Sequence, residues 1–143
     1  MNSRLFKLFL FLLVLCTGCA DQVYKAYDGG EKSSDELAVI KSFSTGGIRG
    51  VHAEILGVDD DYFDVSLPER VEILPGKHSV LIRCGRGRLV FEDNDGLQDR
   101  QGSVEFTAQA GRKYMAVCSI NKSNFLKWIT DLASDEIVGV ENQ

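Results

Sequence analysis

Val71-Glu72-Ile73-Leu74-Pro75-Gly76-Lys77-His78-Ser79-Val80-Leu81-Ile82-Arg83-Cys84 decides the fold class of this chain. Val71 and Ile73 alternate with polar neighbours, the period of two that marks a half-buried strand. Pro75 presets φ and Gly76 accepts φ > 0, which suits the two central positions of a type II turn. The apolar segment up to Cys84 follows at once, so the stretch reads as two strands joined in a hairpin.

The same punctuation extends in both directions. Upstream, Leu37-Ala38-Val39-Ile40 is closed by Ser44-Thr45-Gly46-Gly47, and Ile48 to Leu56 ends in Gly57 and Asp59-Asp60-Asp61. Phe63, Val65 and Leu67 alternate with polar residues. Downstream, Gly85-Arg86-Gly87 reads as a turn into Leu89-Val90-Phe91, and residues 92–101 form the longest internal loop. Val104 and Phe106 then alternate with Glu105 and Thr107, and Ala110-Gly111 turns into Lys113–Ile120. Short apolar runs with turn signals every 8–12 residues indicate an antiparallel sandwich or barrel. The expectation is a mostly β domain over residues 37–143, an antiparallel β-sandwich of six to eight strands. Phe125, Leu126, Trp128, Ile129 and Leu132 fit a short C-terminal helix capped by Ser123 or Asn124, with a strand as the competing reading. Glu136–Val140 reads as a last edge strand.

Composition narrows the class. The chain has 143 residues, with 16 Lys and Arg against 21 Asp and Glu, a formal charge of −5. Nucleic-acid affinity comes largely from Lys and Arg neutralising phosphates, so this balance argues against a nucleic-acid partner. Fourteen Gly among many Val, Ile, Phe and Tyr favour strands and tight turns over a helical bundle.

The amino-terminal segment carries an address. Arg4 and Lys7 precede the apolar stretch Leu8 to Leu15, and Leu15-Cys16-Thr17-Gly18-Cys19 follows. The apolar stretch matches a secretory core of about 7–15 residues and falls short of the roughly 20 that a spanning helix needs. The pattern resembles the signal peptide and lipobox of a bacterial lipoprotein, although Cys16 stands where that pattern prefers Leu, Val or Ile. The resemblance implies removal of residues 1–18, a lipid on Cys19, and attachment to the membrane through that lipid. Ala20 after the cysteine, where Asp would retain the protein at the inner membrane, implies the periplasmic face of the outer membrane. Residues 19–36 are polar, with Gly29-Gly30 and Glu31-Lys32-Ser33-Ser34-Asp35-Glu36, and read as a flexible tether.

The order Tyr27-Asp28-Gly29, Leu37 to Ile40, Ile55 to Asp59, Leu74-Pro75-Gly76-Lys77-His78-Ser79-Val80 and Phe106 to Tyr114 is similar to that of small, uncharacterised bacterial lipoproteins with a PEGA-like β-sandwich. Those motifs are turn motifs and bring no catalytic residue with them.

Candidate sites are few. Cys84 and Cys118 each end an apolar strand-like segment, and an oxidising compartment permits a disulfide between them; two buried free cysteines are the alternative. Lys77, His78, Arg83, Arg86 and Arg88 form a candidate basic patch for an anion or an acidic partner, or else a charged hairpin end. Asp59, Asp60, Asp61 and Asp64 suit a solvated turn better than a calcium site, and Asp93-Asn94-Asp95-Gly96 fails the EF-hand pattern because Phe91 and Gly102 take its first and twelfth ligand places. The two histidines and two remaining cysteines lack paired metal-ligand spacing, so neither metal nor cofactor is expected. A nucleophilic site needs Ser or Cys beside a His and an acid, and no such motif is present. Trp128, Tyr114 and Tyr62 are candidates for sugar stacking, though core packing is the commoner use of aromatics.

The expected function is therefore that of a non-catalytic accessory or binding module of the cell envelope, with an envelope protein or a cell-wall glycan as partner. Two other readings stand beside it. One is a lipoprotein similar to membrane-bound lysozyme inhibitors, offering Arg86 or Ser103 to an enzyme cleft. The other is a cell-wall hydrolase using scattered carboxylates.

Overall fold

The computed structural model describes residues 23–46, 50–63, 68–86, 100–121 and 124–141. Ten strands form: β1 (Val23–Lys25), β2 (Ala38–Ser44), β3 (Val51–Val58), β4 (Asp61–Tyr62), β5 (Arg70–Ile73), β6 (Gly76–Arg86), β7 (Gln101–Ala108), β8 (Lys113–Asn121), β9 (Asn124–Asp131) and β10 (Ile137–Val140). The protein is mostly β, as its alternating runs require.

The main path runs β10-β9-β8-β2-β3-β6-β7. Antiparallel bridging of Val104 with Glu141 joins its two ends, so the sheet is nearly closed and barrel-like. Strand β2 belongs to both halves. Its first residues pair with β5 and, in parallel, with β8, whereas Phe43 and Ser44 pair with β3. The expected sandwich thus becomes two sheets sharing one strand, with more strands than the six to eight foreseen, because β1 and β4 are too short for periodicity to reveal.

Alternation explains the core. In β7, Val104, Phe106 and Ala108 are buried between exposed Ser103, Glu105 and Thr107. In β8, Tyr114, Ala116 and Cys118 face inward. Together with Ile40, Ile55, Ile82 and Ile129 they fill the interior. Phe106 meets Tyr114 edge-on at 5.0 Å between ring centroids, the favoured geometry for two aromatic quadrupoles.

Several expectations are corrected. Pro75-Gly76 does not close a hairpin. β5 pairs with β1 and β2, β6 pairs with β3 and β7, and the chain crosses from one sheet to the other at this point. Gly76 does take φ 138°, so the backbone demand was read correctly while the strand pairing was not. Turn residues specify a reversal, not which strands lie beside each other.

Residues 124–131 are strand β9, not a helix. Its inward positions are Lys127, Ile129 and Asp131, and its outward ones include Leu126 and Trp128. That inverted polarity hides a period of two.

The segment expected to be a tether is largely structured. β1 pairs in parallel with β5, and Tyr24 packs on Phe63 at 4.1 Å between ring centroids. Ser33 donates from its hydroxyl (2.6 Å) and its amide (3.1 Å) to Glu36 Oε2, which holds that carboxyl below its usual range. The ordered domain therefore takes in residues 23–36 as well as those from 37 onward. Of the expected strand at Phe63–Leu67 only the first residue is described: Phe63 follows the short strand β4 without belonging to it, and residues 64–67 lie outside the described ones. Gly85 and Arg86 extend β6 rather than turning, and Leu89 to Phe91 lie outside the described residues.

Candidate binding surface

Cys84 on β6 and Cys118 on β8 form a disulfide, their Cα atoms 5.9 Å apart. Both side chains point into the interior, where strands of the two sheets face each other, so the bridge clips one sheet to the other. Of the two readings open from sequence, this settles on the bridge.

The basic candidates do not converge on one free patch. Lys77 pairs with Glu105 at 2.7 Å. Arg83 lies directly across from Glu54 on β3 and grips its Oε2 with Nε at 2.7 Å and a terminal nitrogen at 2.6 Å. His78 bridges Asp59 Oδ2 at 2.5 Å and the Leu74 carbonyl oxygen at 2.7 Å, tying the β5–β6 crossing to the turn after β3. Lys77 and Arg83 share a face about 20 Å apart along β6, whereas His78 falls on the alternate one. Arg86 ends β6, and Arg88 lies outside the described residues. Lys77, His78 and Arg83 are each already matched by an acid that sequence spacing could not reveal.

The acidic turn is likewise committed to structure. Asp59 Oδ1 accepts the Ser79 amide at 2.8 Å, and Asp61 Oδ2 accepts the Tyr24 hydroxyl at 2.9 Å. Asp64, Asp93 and Asp95 lie outside the described residues. Among the described residues no group of three or more His, Cys, Asp or Glu is placed to hold a metal ion. A cleft of about 30 Å³ lies beside this turn, lined by Asp59 to Tyr62, Ser79 and Ser103, room for roughly one water. Ser103 sits within strand β7 opposite Leu81, not on a protruding loop. The three aromatics do not make one stacking platform: Tyr114 is buried, with its hydroxyl accepting the Gln109 amide, while Tyr62 is exposed in the acidic turn.

The surface that sequence reading missed is on the outside of β8, β9 and β10. Register places Val117 beside Trp128 and Trp128 beside Val140, three apolar residues in a row across three strands. Leu126 on β9 is 44 % exposed, and Val140 is 56 % exposed. A bulge in β10 adds one residue between Ile137 and Gly139, and Ile137 and Val138 are both exposed there. Gly139 is required on the opposite side, since a Cβ would meet the Glu105 carbonyl oxygen at 2.6 Å. Isolated exposed apolar side chains are ordinary; here several lie next to one another across three paired strands. The signal was present in sequence as Leu126 and Trp128 alternating with Lys127, read there as one side of a short helix.

A buried ion pair supports this surface from within. Lys127 is 2 % exposed, and its Nζ donates to both Glu141 carboxylate oxygens (3.0 and 2.9 Å) and to the Phe125 carbonyl oxygen (3.1 Å). Gly102 makes room for it, because a Cβ there would come within 1.6 Å of Glu141 Oε1. The pair lies beside the seam where Glu141 bridges Val104 of β7.

No family model, curated protein or solved structure matches this chain.

Proposed function

We propose that the protein is a non-catalytic, lipid-anchored module of the bacterial cell envelope, of the PEGA-like lipoprotein kind its sequence resembles. It works by presenting a surface. The observation that supports this best is the contiguous apolar row Val117, Trp128 and Val140, flanked by Leu126 and Val138 and carried on strands made rigid by a disulfide and a buried ion pair. Lys77, His78, Arg83, Asp59 and Asp61 are engaged in holding the fold, a use of charged groups that suits a scaffold. The amino-terminal pattern ending in Cys19 supplies the address: the outer membrane, with the domain on its periplasmic side.

Cys19→Ser tests the anchor. The substituted protein is expected in the soluble periplasmic fraction after the membranes are washed at high salt, and mass spectrometry of the unsubstituted protein is expected to find a diacylglycerol thioether on Cys19 with residues 1–18 removed. An unmodified thiol, or retention of the Ser variant in washed membranes, overturns this reading.

A further inference from the structure

The β-strand nearest the anchor lies at the edge of the very sheet that carries the apolar row. Val23 opens β1, four positions after Cys19, so the intervening chain spans at most about 14 Å. No long spacer remains to lift the domain away from its lipid. From β1 the sheet continues through β5, β2 and β8 to β9, and at about 4.8 Å per strand Val23 and Trp128 belong to one surface roughly 20 Å wide.

The outward positions of the strands between them are basic. Val71 and Ile73 are buried, which turns Arg70 and Glu72 of β5 outward. By the same alternation Lys41 on β2 and Lys113 on β8 face out, both exposed. Lys41 pairs in register with Arg70 and with Met115, and Val39 pairs with Lys113 and Glu72. Three cations thus face one carboxylate on a chain whose formal charge is −5. Among the described residues, none of Lys41, Arg70 and Lys113 makes an ion pair, in contrast to Lys77 and Arg83 on the other sheet.

We propose that the outward face of the β1-β5-β2-β8-β9-β10 sheet lies on the membrane itself, with Lys41, Arg70 and Lys113 toward anionic headgroups and Trp128, Leu126 and Val140 in the interfacial layer. This placement rests on the lipid anchor proposed above. Basic residues close to a surface are attracted by anionic lipid within a Debye length, and tryptophan is the side chain best suited to the headgroup level, with an apolar body and one N–H. The opposite sheet, with its paired charges at Glu54–Arg83 and Lys77–Glu105, then faces the periplasmic space.

Trp128 is the sole tryptophan, so its own fluorescence reports this one face. The full lipidated protein is reconstituted into vesicles of phosphatidylcholine alone and of phosphatidylcholine with phosphatidylglycerol, each carrying nitroxide-labelled lipid. On the anionic vesicles Trp128 emission is expected to shift to the blue, to be quenched by the nitroxide and to be shielded from aqueous acrylamide. Lys41→Glu combined with Lys113→Glu is expected to abolish most of that nitroxide quenching while the protein still floats with the vesicles. A floating protein whose Trp128 stays open to acrylamide and untouched by nitroxide overturns the proposal and leaves the anchor standing. Shielding from acrylamide without nitroxide quenching, together with a concentration-dependent dimer, assigns the face to a second copy and overturns it too. Equal quenching on neutral vesicles removes the basic residues from the argument. Failure to float at all means that the anchor is absent, and the proposal falls with it.

Discussion

Replacing both Cys84 and Cys118 by Ala lowers the unfolding free energy by about 4 kcal/mol. The bridge closes a loop with a sequence separation of 34, and the chain-entropy relation gives about that value for a loop of this length. Domains of ordinary size are stable by only about 5–15 kcal/mol, so the loss is a large part of the total. The location adds to the effect. Cys84 and Cys118 lie on strands of different sheets, and each is packed in the core, so the variant loses a covalent tie between the two walls of the barrel as well as buried sulfur. Urea unfolding of the oxidised protein, the reduced protein and the double variant measures it. A midpoint unchanged by reduction would show that packing alone holds the two sheets together.

Glu141→Ala destabilises by about 3–5 kcal/mol, the range for removing one partner of a buried pair and leaving the other uncompensated. The side chain left behind is Lys127, 2 % exposed, with only the Phe125 carbonyl oxygen still accepting from it. Lys127→Met costs less, because the side chain of Glu141 is 21 % exposed and can turn to water. Combining Lys127→Met with Glu141→Leu recovers much of the loss, since a well-packed apolar pair commonly equals a buried ionic one. Denaturant midpoints for the two single variants and the double variant form the test. Equal small losses for both single variants would place the pair in solvent rather than at a closed seam.

Much of the architecture is legible in the alternating runs. Val104 and Phe106 against Glu105 and Thr107 need no tertiary information to be read as a strand with one buried face. Cys84 and Cys118 are legible for the same reason: each sits on the apolar phase of its strand. Partnership between strands is another matter. Pro75-Gly76 fixes a local reversal, yet β5 takes its hydrogen bonds from β1 and β2, and nothing in the turn encodes that choice. β9 is ambiguous because two of its three buried side chains, Lys127 and Asp131, are polar and find their partners, Glu141 and Arg112, at the ends of the neighbouring strands. The apolar outer face is invisible for the matching reason. Leu126, Trp128 and Val140 look like core until register shows that the core phase is already taken. Lys77 and Arg83 look like a free patch until Glu105 and Glu54 are placed opposite them.

The parallel pairing of β2 with β8, and the closing bridge at Glu141, give this fold a high contact order. Two of its pairings wait for distant segments: Val39 for Lys113, and Val104 for Glu141 near the end of the sequence. Loop-closure entropy must be met before those distant pairings return any stabilisation, which places folding on the millisecond-to-second scale typical of non-local β topologies rather than the microseconds of helical bundles. A nascent chain therefore cannot close its barrel, and leaves strand edges open, until its last strands have emerged.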